Sequence, residues 1–242
     1  MKNVAIIQAR MGSSRLPGKV LRDVNGMTML DRVVRRVRRS QYVDQVVVAT
    51  SDLPMDLAIV NHCRDFGYSV FAGDHLDVLS RYVKAATKFE ADRIIRITAD
   101  CPLIDSRIID HVVIQLENDP LLDYACNFFP NRMYPRGLDA EALTFETLKM
   151  ADKLSRDMSQ REHVTLQIYQ NASLYRIGSV QPRQDHSHLR WTVDTSDDLK
   201  LVNLIYKHFG HQRFNWRQVL DAYQSNPHWL SINTQTIQKK VA

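Results

Sequence analysis

Val4-Ala-Ile-Ile-Gln-Ala-Arg-Met-Gly-Ser-Ser-Arg-Leu-Pro-Gly-Lys19 joins an apolar run to a cationic turn. Val4 to Ile7 predict a strand covered on both faces. The run leads without spacer into a loop of small and charged residues: Arg10, Gly12, Ser13, Ser14, Arg15, Gly18 and Lys19. Such a loop suits a polyphosphate. Glycines permit positive φ and close backbone approach, so N–H groups turn toward phosphate oxygens. Arginines add forked donors, and the lysine adds a point charge.

The loop departs from two familiar phosphate motifs. A Walker loop sets four residues between its glycine and its Gly-Lys pair, and Ser or Thr follows. Here five residues separate Gly12 from Gly18, and Val20 follows Lys19. The hydroxyl that would hold a metal is therefore missing, and so is a G-x-G-x-x-G fingerprint. This is a phosphate loop of another kind, or else a surface turn with solvated charges.

Ile7-Gln-Ala-Arg-Met-Gly-Ser-Ser-Arg-Leu-Pro-Gly-Lys-Val-Leu21 resembles the opening signature of the sugar cytidylyltransferases, which include the acylneuraminate and 3-deoxy-manno-octulosonate enzymes. The nearest resemblance is to the branch of spore coat polysaccharide biosynthesis protein F. The resemblance implies a loop wrapped around the triphosphate of CTP, with Ala9, Arg10, Gly12, Ser13, Ser14, Arg15 and Lys19 as the nucleotide-binding set. It extends from Val4 to about Phe209 and is weakest in the middle of the chain.

Downstream, strands and helices alternate. Strands are expected at 45–50, 68–71 and 92–98, and helices from Thr28, over 51–66, 75–89 and 106–117. Thr28 and Asp31 form a capping-box-like pair. Leu30, Val33, Val34 and Val37 share one face of that helix; Arg32, Arg35, Arg36, Arg38 and Arg39 form the other, read as a solvated face. The alternation predicts an α/β fold with a mostly parallel sheet, of three-layer, Rossmann-like nucleotide-diphospho-sugar transferase type, with ligands at the carboxyl ends of the strands. After Asn118 the rhythm breaks. A strand is expected over 121–127, helices over 145–154 and 160–170, strands over 174–180 and 190–193, and helices over 197–209 and 216–223. The turn-rich, aromatic stretch 128–137 is the candidate arm. One nucleotidyltransferase domain, 1–242, is expected, with about 120–180 as an acceptor-binding or dimerising insertion. The polar tail after Trp229 is expected to be loosely held.

Two carboxylates stand out. Asp100 ends a strand in Thr98-Ala-Asp-Cys-Pro-Leu-Ile-Asp105, where it suits Mg²⁺ or a helix cap; Asp105 reads as such a cap. Asp194 lies in Leu189-Arg-Trp-Thr-Val-Asp-Thr-Ser-Asp-Asp-Leu199, one residue before a Thr195/Asp198 capping box. Both segments resemble metal-binding segments of the family, Ser196 replacing a proline, so the resemblance implies that Asp100 and Asp194 hold the metal. Arg10, Arg15, Lys19 and Asp100 are then the catalytic set. By the same resemblance Arg81 helps read the pyrimidine. Arg136, Asp139 and Glu141, in Arg136-Gly-Leu-Asp-Ala-Glu-Ala-Leu143, and His163, in Arg161-Glu-His-Val164, contact the acceptor.

The 242 residues are 44% apolar and 24% charged, with a formal net charge of +5, which is ordinary for a globular protein that meets anionic partners. Three scattered cysteines suggest neither zinc nor a disulfide framework. No signal segment or membrane span is evident, and a cytoplasmic homodimer is expected. The expected reaction is transfer of CMP from CTP to an acidic, ulosonic-acid-like sugar, releasing pyrophosphate with Mg²⁺. Two rivals are a GT-A-type glycosyltransferase using a nucleotide-sugar donor, for which no D-x-D motif stands at a strand end, and a nucleic-acid module built on the basic helix 28–39, which lacks interleaved aromatics.

Overall fold

The computed structural model describes residues 1–238. Val4 to Ile7 lie within β1 (Asn3–Gln8) and are fully buried. Ala5 and Ile7 pack into one core and Val4 and Ile6 into the other. A strand can read as a continuous apolar run only when both faces are covered in this way. β1 is flanked in parallel by β2 (Gln45–Ser51) and β4 (Arg93–Thr98), and β3 (Ser69–Gly73) extends the sheet beyond β2. The sheet continues through β6 (Glu141–Thr144), β5 (Tyr124–Cys126) and β7 (Ile177–Ser179), in the order β3-β2-β1-β4-β6-β5-β7, with β6 antiparallel to both neighbours.

One face is covered by α1 (Met29–Val37), α4 (Ser106–Asn118), α8 (Ser196–Phe209) and α9 (Trp216–Ser225), and also receives side chains of α2 (Leu57–Asp65). The other is covered by α3 (Val78–Lys88), α5 (Phe145–Leu154) and α7 (Leu166–Gln170). This is the expected three-layer α/β arrangement. Reciprocal capping boxes start α1 (Thr28 with Asp31) and α8 (Thr195 with Asp198), satisfying N–H groups that a helix start leaves orphaned.

Several local expectations are corrected. Arg32 and Arg36 do not belong to a solvated face. Both are buried, Arg32 donating to Val24 O and Asn25 O, and Arg36 to Ile104 O and Phe214 O. Their charge is spread over backbone carbonyls with no free partner of their own. The helix expected from residue 51 begins as a 3-10 turn at Pro54–Asp56. The helix expected over 160–170 is two, α6 (Met158–Glu162) and α7, broken where Val164 takes φ 55°. Residues 190–193 form no strand; they are an extended splice, Trp191 N and Thr192 N donating to Arg136 O and Val193 N to Asp100 O. β6 was not expected at all. The tail after Trp229 is anchored at one point, where buried Asn233 bonds Asp198 and Arg190 O, while Leu230 and Ile237 are exposed. Residues 239–242 of that tail lie outside the described residues. Among the described residues no helix is long and apolar enough to cross a membrane.

Candidate active site

Gln8 and Thr98 are partners at the carboxyl ends of β1 and β4, so the loops 9–19 and 99–105 leave the sheet side by side. The first loop closes on itself, since Met11 O accepts from both Ser13 N (2.9 Å) and Gly18 N (3.0 Å). Its base is moored by buried Asp56, whose Oδ1 accepts from Met11 N at 2.6 Å while Oδ2 accepts from the Ser51 hydroxyl. Gly18 takes φ 66° and starts the 3-10 turn Lys19–Leu21, which turns Lys19 inward. Gly12 keeps ordinary φ, so its value lies in its missing side chain and not in backbone freedom.

Lys19 is the hub. Its Nζ donates to Asp100 Oδ2 (2.9 Å), Asp194 Oδ1 (2.8 Å) and Val193 O (2.8 Å), which uses all three protons. Asp194 also pairs with Arg15 (2.9 Å) and Arg190 (2.7 Å), and Arg190 is anchored by fully buried Asp198 (2.9 Å). The two aspartates thus converge on one point although they are far apart in the chain. Burial alone would lower the Lys19 pKa; Asp100 and Asp194 outweigh it and raise it. Burial works to raise the Asp194 carboxyl, but Lys19, Arg190 and Arg15 hold it at about 2, and Lys19 likewise keeps Asp100 below the usual range.

Besides its hydrogen bonds, the splice 190–194 makes one close backbone approach. Gly137 has φ 105°, and a Cβ there would stand 2.4 Å from Thr192 N. Only glycine permits this backbone-to-backbone contact, which carries Asp194 toward Asp100.

A cavity of about 260 Å³ opens above the loop, walled by Arg10, Gly12, Ser13, Ser14, Arg15, Lys19, Asp100 and Asp194. A neighbouring cavity of about 520 Å³ shares Arg10, Arg15, Thr98, Asp100 and Asp194 with it, and its further walls include Arg132, Arg136, Asp139, Glu141 and His163. The structure therefore brings the four residues expected at the acceptor together. Asp139 is clamped by Arg132. Glu141 is buried on β6 and accepts from Arg96 and from Tyr124 OH. His163 is held below its ordinary pKa, chiefly by burial. Arg136 has no carboxylate within 4.0 Å among the described residues. Arg81 lies elsewhere: it is fully buried, packs its Cγ under Gly73, and lines neither cavity.

Among the described residues, no three His, Cys, Asp or Glu side chains gather as a self-sufficient metal site. Two convergent carboxylates nevertheless suit magnesium, which takes one or two carboxylates and completes its shell with phosphate oxygens and water. Arg132, Arg190 and Asp56 escaped sequence reasoning. Arg190 carries a weak signal, since it stands four residues before Asp194; Asp56 carries none.

Residues 4–228 match the family model for cytidylyltransferases. A cytidylyltransferase from Leptospira borgpetersenii has 33% sequence identity and a TM-score of 0.92, with 99% of this chain and 100% of that one covered. An uncharacterized protein of Methanocaldococcus jannaschii is 36% identical over 241 residues, covering 99% of this chain and 97% of its own. Spore coat polysaccharide biosynthesis protein SpsF of Bacillus subtilis is 36% identical over 214 residues, covering 86% and 87%. With a loop, an aspartate pair and a sheet order that these matches span, the chain belongs to the cytidylyltransferase family, in the branch of the spore coat protein SpsF.

Proposed function

We propose that the protein transfers CMP from CTP to a hydroxyl of an acidic sugar, of the ulosonic-acid class, and releases pyrophosphate in a Mg²⁺-dependent reaction. The observation that carries the acidic acceptor is Arg136. It is a partly buried guanidinium on the wall of the second cavity, with no carboxylate partner among the described residues, and burial together with neighbouring Arg132 lowers its pKa. Arg132 and Arg96 are already matched to Asp139 and Glu141. A carboxylate on the acceptor supplies the missing charge in the bidentate geometry that arginine favours.

The acceptor oxygen forms a bond to the α-phosphorus as the bond from that phosphorus to the bridging oxygen of pyrophosphate breaks. The acceptor proton leaves to solvent, and no side chain need serve as base. Asp100 and Asp194 would hold magnesium, which when bound would supply charge neutralisation at the phosphates and a lowered pKa for the acceptor hydroxyl. Lys19 and Arg15 exchange their aspartate partners for phosphate oxygens, and with exposed Arg10 they hold the departing pyrophosphate. Arg190, fixed by Asp198, keeps Asp194 aimed while this exchange proceeds.

The test is pyrophosphate release from CTP and Mg²⁺ with ulosonic acids, their carboxyl-reduced analogues and neutral sugars. Turnover with the acids alone is expected. Turnover with the reduced analogues at equal kcat/KM overturns the acidic acceptor, and release from another nucleoside triphosphate in preference to CTP overturns the donor.

A further inference from the structure

A cavity of about 650 Å³ lies between the end of α1, the start of α4 and the link into α9, and shares no wall residue with the two cavities of the site. Four of its walls are arginines: Arg36, Arg39, Arg107 and Arg213. None has a carboxylate within 4.0 Å among the described residues. Arg36 is buried and fixed, donating to Ile104 O (2.6 Å) and Phe214 O (3.1 Å) with its guanidinium 4.7 Å from the Phe214 ring. Arg39 shares the Gln212 carbonyl with it, while Arg107 and Arg213 are exposed. The one carboxylate on the wall, Asp105, spends its oxygens on Arg107 N (2.9 Å) and Trp216 N (2.7 Å).

Like charges brought together without counterions repel, and burial raises the cost. Burial lowers the Arg39 pKa, and the nearness of Arg36 and Arg213 adds to the shift. The starts of α4 and α9 are already capped by Asp105 and Asn215, so the attraction comes from guanidiniums and not from helix ends. The volume lies within the roughly 300–1,000 Å³ range of small-ligand pockets. A nucleic acid is a poorer fit, because the cavity's aromatic ring, Phe214, is buried beneath Arg36 and offers bases no face to stack on.

We propose that this cavity is a second anion site, which takes an oligophosphate (inorganic pyrophosphate, tripolyphosphate or the triphosphate tail of a nucleotide) on Arg39, Arg107 and Arg213, with Arg36 as the fixed charge beneath. The proposal rests on these residues and not on the reaction proposed above.

Titration calorimetry with tripolyphosphate, without divalent ions and at low salt, tests it. One site per chain is expected here, since without a divalent ion Lys19 and Arg15 stay paired with aspartates. Arg107→Gln with Arg213→Gln should weaken it by at least about tenfold per guanidinium. Arg15→Gln should leave it unchanged. CTP should bind this site no more tightly than tripolyphosphate. No binding, binding unaltered in the double variant, or a site that accepts CTP but not tripolyphosphate overturns the proposal. So does a short single-stranded RNA that displaces tripolyphosphate from the site and binds it far more tightly. Both substituted arginines are exposed, so the variant should fold, and its pyrophosphate release from CTP should match the parent. That second readout separates failure here from failure of the catalytic reading.

Discussion

Lys19→Met tests the hub of the site most directly. The ammonium is 11% exposed and serves three acceptors, but its loss does not strand them equally. Asp194 keeps Arg15 and Arg190. Asp100 loses the cation it pairs with, and then faces Asp194 across a partly buried gap. Removing one partner of a buried pair costs about 3–5 kcal/mol. Asp100 is 27% exposed, so water shares the burden and roughly 2–3 kcal/mol is the better figure. For a chain of this size that lowers Tm by about 4–12 °C.

The signature lies in the pH dependence. In the parent, Asp100 and Asp194 are held below the ordinary carboxylate value, Asp194 at about 2. Their contribution is complete above that ordinary value and is lost as pH falls toward the lowered ones, so acid destabilises. In Lys19→Met, burial and Asp194 raise the Asp100 carboxyl. Its penalty is then full above the raised pKa and shrinks as pH falls through it. The Tm difference between parent and variant, measured by calorimetry from pH 7.5 to 4.5, should therefore narrow toward acid. If Asp100 and Asp194 hold Mg²⁺ as proposed, the ion should raise the variant's Tm more than the parent's. With CTP, kcat/KM should fall about 10²–10³-fold. A Tm difference that is constant or widens toward acid refutes the view that Lys19 is what keeps the two carboxylates together.

Three further perturbations probe separate parts of the argument. Arg136→Gln should raise KM for an acidic acceptor about 10–100-fold and leave KM for CTP unchanged, read by steady-state kinetics with each substrate varied; an equal rise in both would remove Arg136 from the acceptor site. Arg36→Leu should lower urea-measured stability by about 2–4 kcal/mol because it orphans buried carbonyls, whereas Arg35→Gln on the exposed side of the same helix should stay within about 0.5 kcal/mol. Gly137→Ala should cost more than about 2 kcal/mol and weaken the proposed Mg²⁺-dependent turnover as well, because its Cβ would push the splice 190–194 away; a Tm within a degree of the parent would dissolve that link.

Elements that a local pattern specifies are legible in the sequence, and those that depend on partners elsewhere are not. β1, β2 and β4 announce themselves because strands buried on both faces must be apolar throughout, and α1 and α8 because a capping box closes within four residues. β6 begins with Glu141, a residue that argues against a core strand. It becomes one only because Arg96 on β4 and Tyr124 on β5 satisfy it, and neither lies near it in the chain. Arg36 reads as solvated for the same reason, since its carbonyls belong to distant segments, whereas Arg32 is received by the nearby turn at Val24 and Asn25, whose fold the helix pattern does not announce. The site repeats the lesson with consequences for chemistry. The composition of the loop marks Lys19 as a candidate phosphate cation, and family likeness pairs Asp100 with Asp194. Neither indicated that the ammonium itself bridges the pair. Lys19 is the counter-charge that lets two carboxylates stand together, and in the proposed reaction a triphosphate and a divalent ion would replace it and free it for the phosphates. One side chain would then serve two partner sets. Local sequence specifies the charge, whereas the occupant of the cavity would select the partner.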